Sequence, residues 1–242
     1  MYSSVGFGGG SSYLAILALF SVSYNIMPKI ALICNIIVVS GSFFVYYKSK
    51  LISFSRVLPF VVASIPFSFW GGSTNVSKKL FLTLLGFSLL IASLRMFLLK
   101  TEDEKPSLVE RSAMKNWLFG LSTGSFLGFL SGLIGIGGGI FLAPILYLTK
   151  WGKSKQIAAT TSFFILVNSL AGLTGQFSKQ GFTENFSMSS DYVLPLGIAV
   201  LIGGQIGSRT GTHIFSQQRV QQLTALLIFI VSNKILWEQL IN

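Results

Sequence analysis

Apolar residues run along this chain in long unbroken blocks, not in the one-faced periodicity of a soluble helix. Blocks at Ile26–Tyr47, Phe54–Trp70, Leu80–Leu99, Ile157–Phe177, Tyr192–Ser208 and Val220–Leu240 are separated by basic or polar segments. Another, Val5–Tyr24, begins almost at Met1. A helix apolar on every face needs apolar surroundings, and about 20 such residues cross a bilayer. Asn116 to Thr149 form a longer stretch. As one straight helix it would measure about 51 Å against a hydrocarbon core of ~30 Å, so it must turn back or cross twice. Either way its two ends emerge on the same side. The pattern predicts an all-α integral membrane protein with about seven or eight transmembrane helices.

That long stretch contains Leu133-Ile134-Gly135-Ile136-Gly137-Gly138-Gly139-Ile140-Phe141-Leu142-Ala143-Pro144, and a weaker copy, Val5-Gly6-Phe7-Gly8-Gly9-Gly10-Ser11-Ser12, opens the chain. Each glycine inside a helix costs about 1 kcal/mol relative to alanine, so three in a row break it. A break in lipid would strand backbone N–H and C=O groups; it survives only buried in protein or lining a watery cavity. Paired glycine-interrupted segments, one in each half, point to the binding site of a secondary transporter. The competing explanation is that these glycines only let helices pack closely.

Composition agrees with the blocks. Only 10% of residues are charged, 22 are Phe, and mean hydropathy is +0.69, which leaves no room for a sizeable soluble domain. The net charge of +11 would suit a nucleic-acid surface. The basic residues, however, lie between apolar blocks, where they act as topology signals, so nucleic acid is excluded as a partner. If Asn116–Thr149 contributes an even number of crossings, 13 of the 18 Lys and Arg fall on one side and five on the other. An odd number gives 10 against 8. The positive-inside rule selects the even solution and puts the 100–115 linker in the cytoplasm of a multi-pass inner- or plasma-membrane protein. Cys34 is the only cysteine, which rules out an intramolecular disulfide or a Cys-based metal site. The N-terminus lacks the basic region and cleavage site of a removable signal peptide.

The charged cluster Thr101-Glu102-Asp103-Glu104-Lys105-Pro106 divides the chain into residues 1–99, a linker at 100–115, and residues 116–242. Val57-Leu58-Pro59 recurs as Val193-Leu194-Pro195, Ile30-Ala31 as Ile157-Ala158, and Ser93-Leu94-Arg95 as Ser232-Asn233-Lys234. Element order is the same in both halves: glycine run, polar-spotted helix, Leu-Pro helix, terminal helix. With three full spans in the first half, the second starts from the opposite face, which makes the halves inverted repeats.

At Ser131-Gly132-Leu133-Ile134-Gly135-Ile136-Gly137-Gly138-Gly139 with Pro144, Ala158-Ala159-Thr160-Thr161-Ser162, and Gly203-Gly204-Gln205-Ile206-Gly207-Ser208-Arg209, the chain resembles the TauE/SafE-type sulfite exporter family. The likeness covers nearly the whole chain. It implies a multi-pass carrier of small sulfur-containing anions such as sulfite or organosulfonates, with the substrate itself left open. The chain departs from the family at its start, where only Met1 to Ser4 precede the first glycine run.

A helix start facing a cavity offers unpaired N–H groups and about half a positive charge, so an oxyanion is its natural guest. Gly8, Gly9 and Gly10 in one copy and Gly137, Gly138 and Gly139 in the other are the candidate cradle. Among polar residues within the spans, Asn35, Thr160, Thr161, Ser162 and Asn168 are candidate side-chain donors, with Ser169 and Gln205 beside them. Asn35 and Ser162 occupy equivalent positions, each five residues after the Ile of its repeated Ile-Ala. For each Ser or Thr the alternative is a bond back to its own helix. Arg209 could anchor an anion, but its place at a span's end favours snorkelling, as do those of Arg95 and Lys234; His213 reads as a loop histidine. All seven acidic residues (Glu102, Asp103, Glu104, Glu110, Glu184, Asp191 and Glu238) lie outside the span centres. No carboxylate relay, metal cage, cofactor motif or nucleophile–base pair is present in the sequence, so an enzyme is not expected. The expected partners are a small-molecule anion and the lipid bilayer. A non-transporting scaffold and an anion channel are the competing functions, and oligomeric state has no sequence signal.

Overall fold

The computed structural model of this protein describes residues 9–98, 113–179, 196–200, 202 and 217–241, and every regular element among them is an α-helix. In chain order these are α1 Gly10–Leu19, α2 Met27–Lys48, α3 Phe54–Ser73, α4 Lys78–Leu98, α5 Ala113–Ile134, α6 Gly139–Leu148, α7 Ser154–Phe177 and α8 Gln217–Ile241. Gly8, residues 100–112 of the linker, the Leu194-Pro195 pair, Gln205, Arg209 and His213 lie outside the described residues.

Local chemistry accounts for several helix starts. Pro28 occupies the first turn of α2, where its missing N–H is not needed. The Leu80 N–H at the start of α4 donates to Ser77 Oγ at 3.3 Å, and ahead of α7 the Lys153 N–H donates to Gln156 Oε1 at 3.1 Å. Helices α2, α3, α5 from Trp117, and α7 have the length and hydropathy of membrane spans. At 21 and 25 residues, α4 and α8 also have the length. The opening block and the long Asn116–Thr149 stretch are resolved differently. Each yields a ten-residue helix, α1 and α6, about 15 Å long and able to reach only halfway through a bilayer. The long stretch thus divides at its glycines into full-length α5 and half-length α6.

Two apolar cores organise the packing. One gathers α1, the first half of α2, α4, the end of α5, and α8, around Leu14, Met27, Phe81, Leu85 and Ile228. The other gathers α3, α5, α6 and α7, around Val57, Phe60, Leu127, Leu142 and Phe164. Outward-facing Phe20, Trp70, Phe126, Leu148 and Leu240 are all exposed, as lipid-facing residues are.

The second core is drawn tight by small residues. Gly120, Gly124, Gly128 and Gly132 recur every fourth residue and so line one face of α5. A Cβ on Gly120 would meet Pro59 Cβ at 2.5 Å, and one on Gly128 the Ser64 carbonyl oxygen at 2.5 Å. On Gly124 and Gly132 it would overlap the carbonyls of Phe60 and Ser68. Gly172 and Gly175 of α7 likewise lie against Gly72 and Phe69 of α3. Close backbone approach replaces the hydrophobic effect, which cannot drive helices together in lipid.

Candidate functional site

The two glycine breaks have the same local geometry. Gly9 (φ +79°) and Gly138 (φ +75°) are the N-caps of α1 and α6, both left-handed, and neither helix start has a side-chain cap. An L side chain at either position would be strained, which is why glycine serves there. In α6 the Phe141 and Leu142 N–H groups donate to the Gly138 carbonyl, each at 3.1 Å; in α1 the Tyr13 N–H donates to the Gly9 carbonyl at 3.0 Å. The earlier N–H groups of each first turn have no helical acceptor, by the geometry of any α-helix start.

These two starts meet. A Cβ on Gly10 would lie 2.5 Å from the Ile136 carbonyl oxygen and 2.8 Å from Asn35 Nδ2. Asn35, in α2 and fully buried, donates from Nδ2 to that same Ile136 carbonyl at 3.1 Å. A Cβ on Gly137 would lie 2.9 Å from Asn35 Nδ2 and 3.2 Å from Ser169 Oγ of α7. One on Gly138 would be 3.3 Å from Ser131 Cβ of α5. The crossing is therefore assembled from the start of α1, the middle of α2, the 135–138 break, and one serine each from α5 and α7.

Its polar side chains are under-used. Asn35 Oδ1, Ser131 Oγ and Ser169 Oγ are buried and have no hydrogen-bond partner among the described residues. Ser12 Oγ, Thr160 Oγ1 and Asn168 Oδ1 are in the same condition. An unsatisfied buried polar atom costs about 1–3 kcal/mol, and native proteins keep few of them. A group of three at one crossing marks a place where the fold has given up stability.

The predicted donors separate here. Asn35 is at the crossing. Thr161 Oγ1 donates back to the Ile157 and Ala158 carbonyls at 2.9 and 3.0 Å, the local bond that competes with any ligand role. Thr160 and Ser162 are fully buried in the same turn. Asn168 works elsewhere: its Nδ2 donates to the Phe164 carbonyl at 2.8 Å and to Ser64 Oγ at 3.0 Å, and Ser68 Oγ donates to the Asn168 carbonyl at 2.8 Å. It fastens α7 to α3 at the small-residue seam.

Two residues near the breaks escape sequence reasoning. Gln176 Nε2 donates to the Gly132 carbonyl at 2.8 Å, taking up a carbonyl near the end of α5 just ahead of the break. The signal was its place on the same face of α7 as Asn168, two turns on. Arg95 was expected to snorkel, and instead turns inward from α4: its guanidinium donates to the Ile140 carbonyl at 3.2 Å. That carbonyl has no helical partner because the residue four positions on is Pro144, which has no N–H. Lys234, the residue the sequence comparison pairs with it, is exposed with Glu238 3.9 Å away.

A second cationic feature lies where α2 begins and α7 ends. Lys29 is almost fully buried, with its Nζ 5.9 Å from the centre of the Phe177 ring. Just past α7, burial and then the Lys29 charge push Lys179 down to about 8. Among the described residues, no three His, Cys, Asp or Glu side chains gather to hold a metal ion.

Comparison with known proteins supplies the wider setting. The Sulfite exporter TauE/SafE family profile matches residues 1–235. A probable membrane transporter protein, y4hK of Sinorhizobium fredii, is 32% identical over 238 residues, covering 98% of this chain and 93% of that protein. The probable membrane transporter protein YunE of Bacillus subtilis is 23% identical over 94% of this chain and 90% of its own length. The probable membrane transporter protein MJ0441 of Methanocaldococcus jannaschii is 27% identical over 77% of this chain and 68% of its own. No solved structure matches. Buried apolar helices, paired glycine breaks and these relatives lead to one conclusion: the chain belongs to the TauE/SafE sulfite exporter family of membrane transporters.

Proposed function

We propose that this transporter exports small sulfur-containing anions, sulfite or organosulfonates, by alternating access, with the anion held where the two broken helices cross. In this reading the halves are inverted repeats, the 100–115 linker is cytoplasmic, and no chemical conversion accompanies transport. The carrying observation is the meeting of two uncapped, glycine-started helices at Asn35, with Ser131 and Ser169 hydroxyls left without protein partners beside them. The starts of two helices lie beside neutral hydroxyls there, and a helix start with hydroxyl donors suits oxyanion oxygens. The partial positive charge of a helix start attracts an anion.

Purified protein in liposomes loaded with radiolabelled sulfite tests this. Release should saturate with concentration and be abolished by Gly138→Leu, which puts a side chain at a left-handed position facing Phe164. Ser169→Ala is the gentler probe. Ser169 Oγ has no protein partner to lose, so the melting temperature should hold. Half-saturation should rise about 3- to 10-fold, the loss of one hydrogen bond of ~1 kcal/mol. If folded protein releases neither sulfite nor a sulfonate faster than empty vesicles do, the carrier reading fails and the scaffold reading takes its place.

A further inference from the structure

The inference rests on the carrier reading and concerns the protonation state of what is carried. The Ile136 carbonyl can only accept, so the end of the Asn35 amide facing it at 3.1 Å must be the NH₂. The other end, Oδ1, can also only accept, is fully buried, and has no partner among the described residues. The crossing also holds the starts of α1 and α6 and the Ser131 and Ser169 hydroxyls, which turn to either role but neither of which is hydrogen-bonded to Oδ1. A ligand that satisfies this set must accept at most of its surface and donate at one point. A fully ionised oxyanion brings only lone pairs, so it would leave Oδ1 unsatisfied and facing another acceptor.

We propose that the crossing binds an oxyanion carrying one hydrogen-bond donor, hydrogen sulfite in the case of sulfite, with its O–H directed to Asn35 Oδ1. An organosulfonate qualifies when it brings a donor of its own, such as a hydroxyl or ammonium group. For sulfite the proton then enters and leaves as part of the substrate, and one negative charge crosses per cycle. This also removes the need for a proton relay, for which the chain has no carboxylate near a span centre.

The experiment uses the full-length protein in liposomes at equal internal and external pH with the membrane voltage clamped, and subtracts protein-free vesicles. Three anions are compared from about pH 6 to about 8.5: sulfite, ethanesulfonate, and 2-hydroxyethanesulfonate. Sulfite flux should follow the singly protonated fraction, falling toward tenfold per pH unit once the second ionisation is passed, ~1.4 kcal/mol per decade. The hydroxylated sulfonate should move at least ~10-fold faster than ethanesulfonate, with no pH dependence. Asn35→Leu should bring that ratio close to one. If the variant fails to fold, the matched sulfonates on the unaltered protein still decide. Equal flux of both sulfonates, with sulfite flux unchanged across the pH range, overturns the proposal and leaves the carrier reading standing. Absence of protein-dependent flux for all three anions overturns the carrier reading itself.

Discussion

The Ile140 carbonyl shows how one residue's local chemistry reaches across the molecule. Pro144 withdraws its helical partner, and Arg95 replaces it from another helix. Arg95→Leu should therefore destabilise the protein by about 2 kcal/mol, since a buried carbonyl loses a charged donor. In a Pro144→Ala background the helix supplies its own N–H, and the same substitution should cost ~1 kcal/mol less. Unfolding of the four proteins in detergent measures that coupling; equal costs in both backgrounds would dissolve the pairing. Neither residue showed this in the sequence. An arginine near a helix end has the signature of snorkelling, and only the tertiary approach of α4 to α6 sets it against Pro144. Asn35 was legible because a lone amide stands out in an apolar block. Thr161 was not separable from Thr160, because a hydroxyl's bond to its own helix leaves no trace in composition.

At the scale of elements, the glycines divide into two kinds that sequence reading treated as alternatives. Gly9 and Gly138 start helices at left-handed positions; Gly120, Gly124, Gly128 and Gly132 let α5 lie against α3. Close packing, weighed as the rival explanation of the triple glycine, is found at Gly137, Gly138 and Gly139 and again at this four-residue spacing, which was visible in the sequence. A Cβ on Gly128 would meet Ser64 backbone atoms at 2.5 and 2.7 Å, and backbone cannot swing aside. Gly128→Leu should cost at least ~3 kcal/mol and lower the melting temperature sharply. Gly41, within α2, has nothing within 4 Å of its added Cβ. Gly41→Ala should raise stability by up to about 1 kcal/mol. If the two substitutions had similar effects, the seam would not be the rigid element described. The short length of α6 was legible at both ends, in the glycines that break the long stretch before it and in Thr149-Lys150 that close its apolar run.

For the whole molecule, hydropathy was enough to establish an all-helical membrane protein, because solvent exposure and lipid exposure demand opposite surfaces. Which helix packs with which was hidden, since lipid-facing and protein-facing residues are both apolar. The placement of α3 carries a consequence for how the chain can be divided. By sequence it belongs to the first half, with α4 following after four residues, 74–77. By packing it lies with α5, α6 and α7, while α4 lies with α1 and α8. Genes for residues 1–99 and 116–242, expressed separately, should each yield protein that degrades or aggregates. Co-expression should rescue both, observed as co-purification through a tag on one fragment. The two stretches on either side of the linker interlock in space, so neither is a module that can be borrowed or replaced without the other.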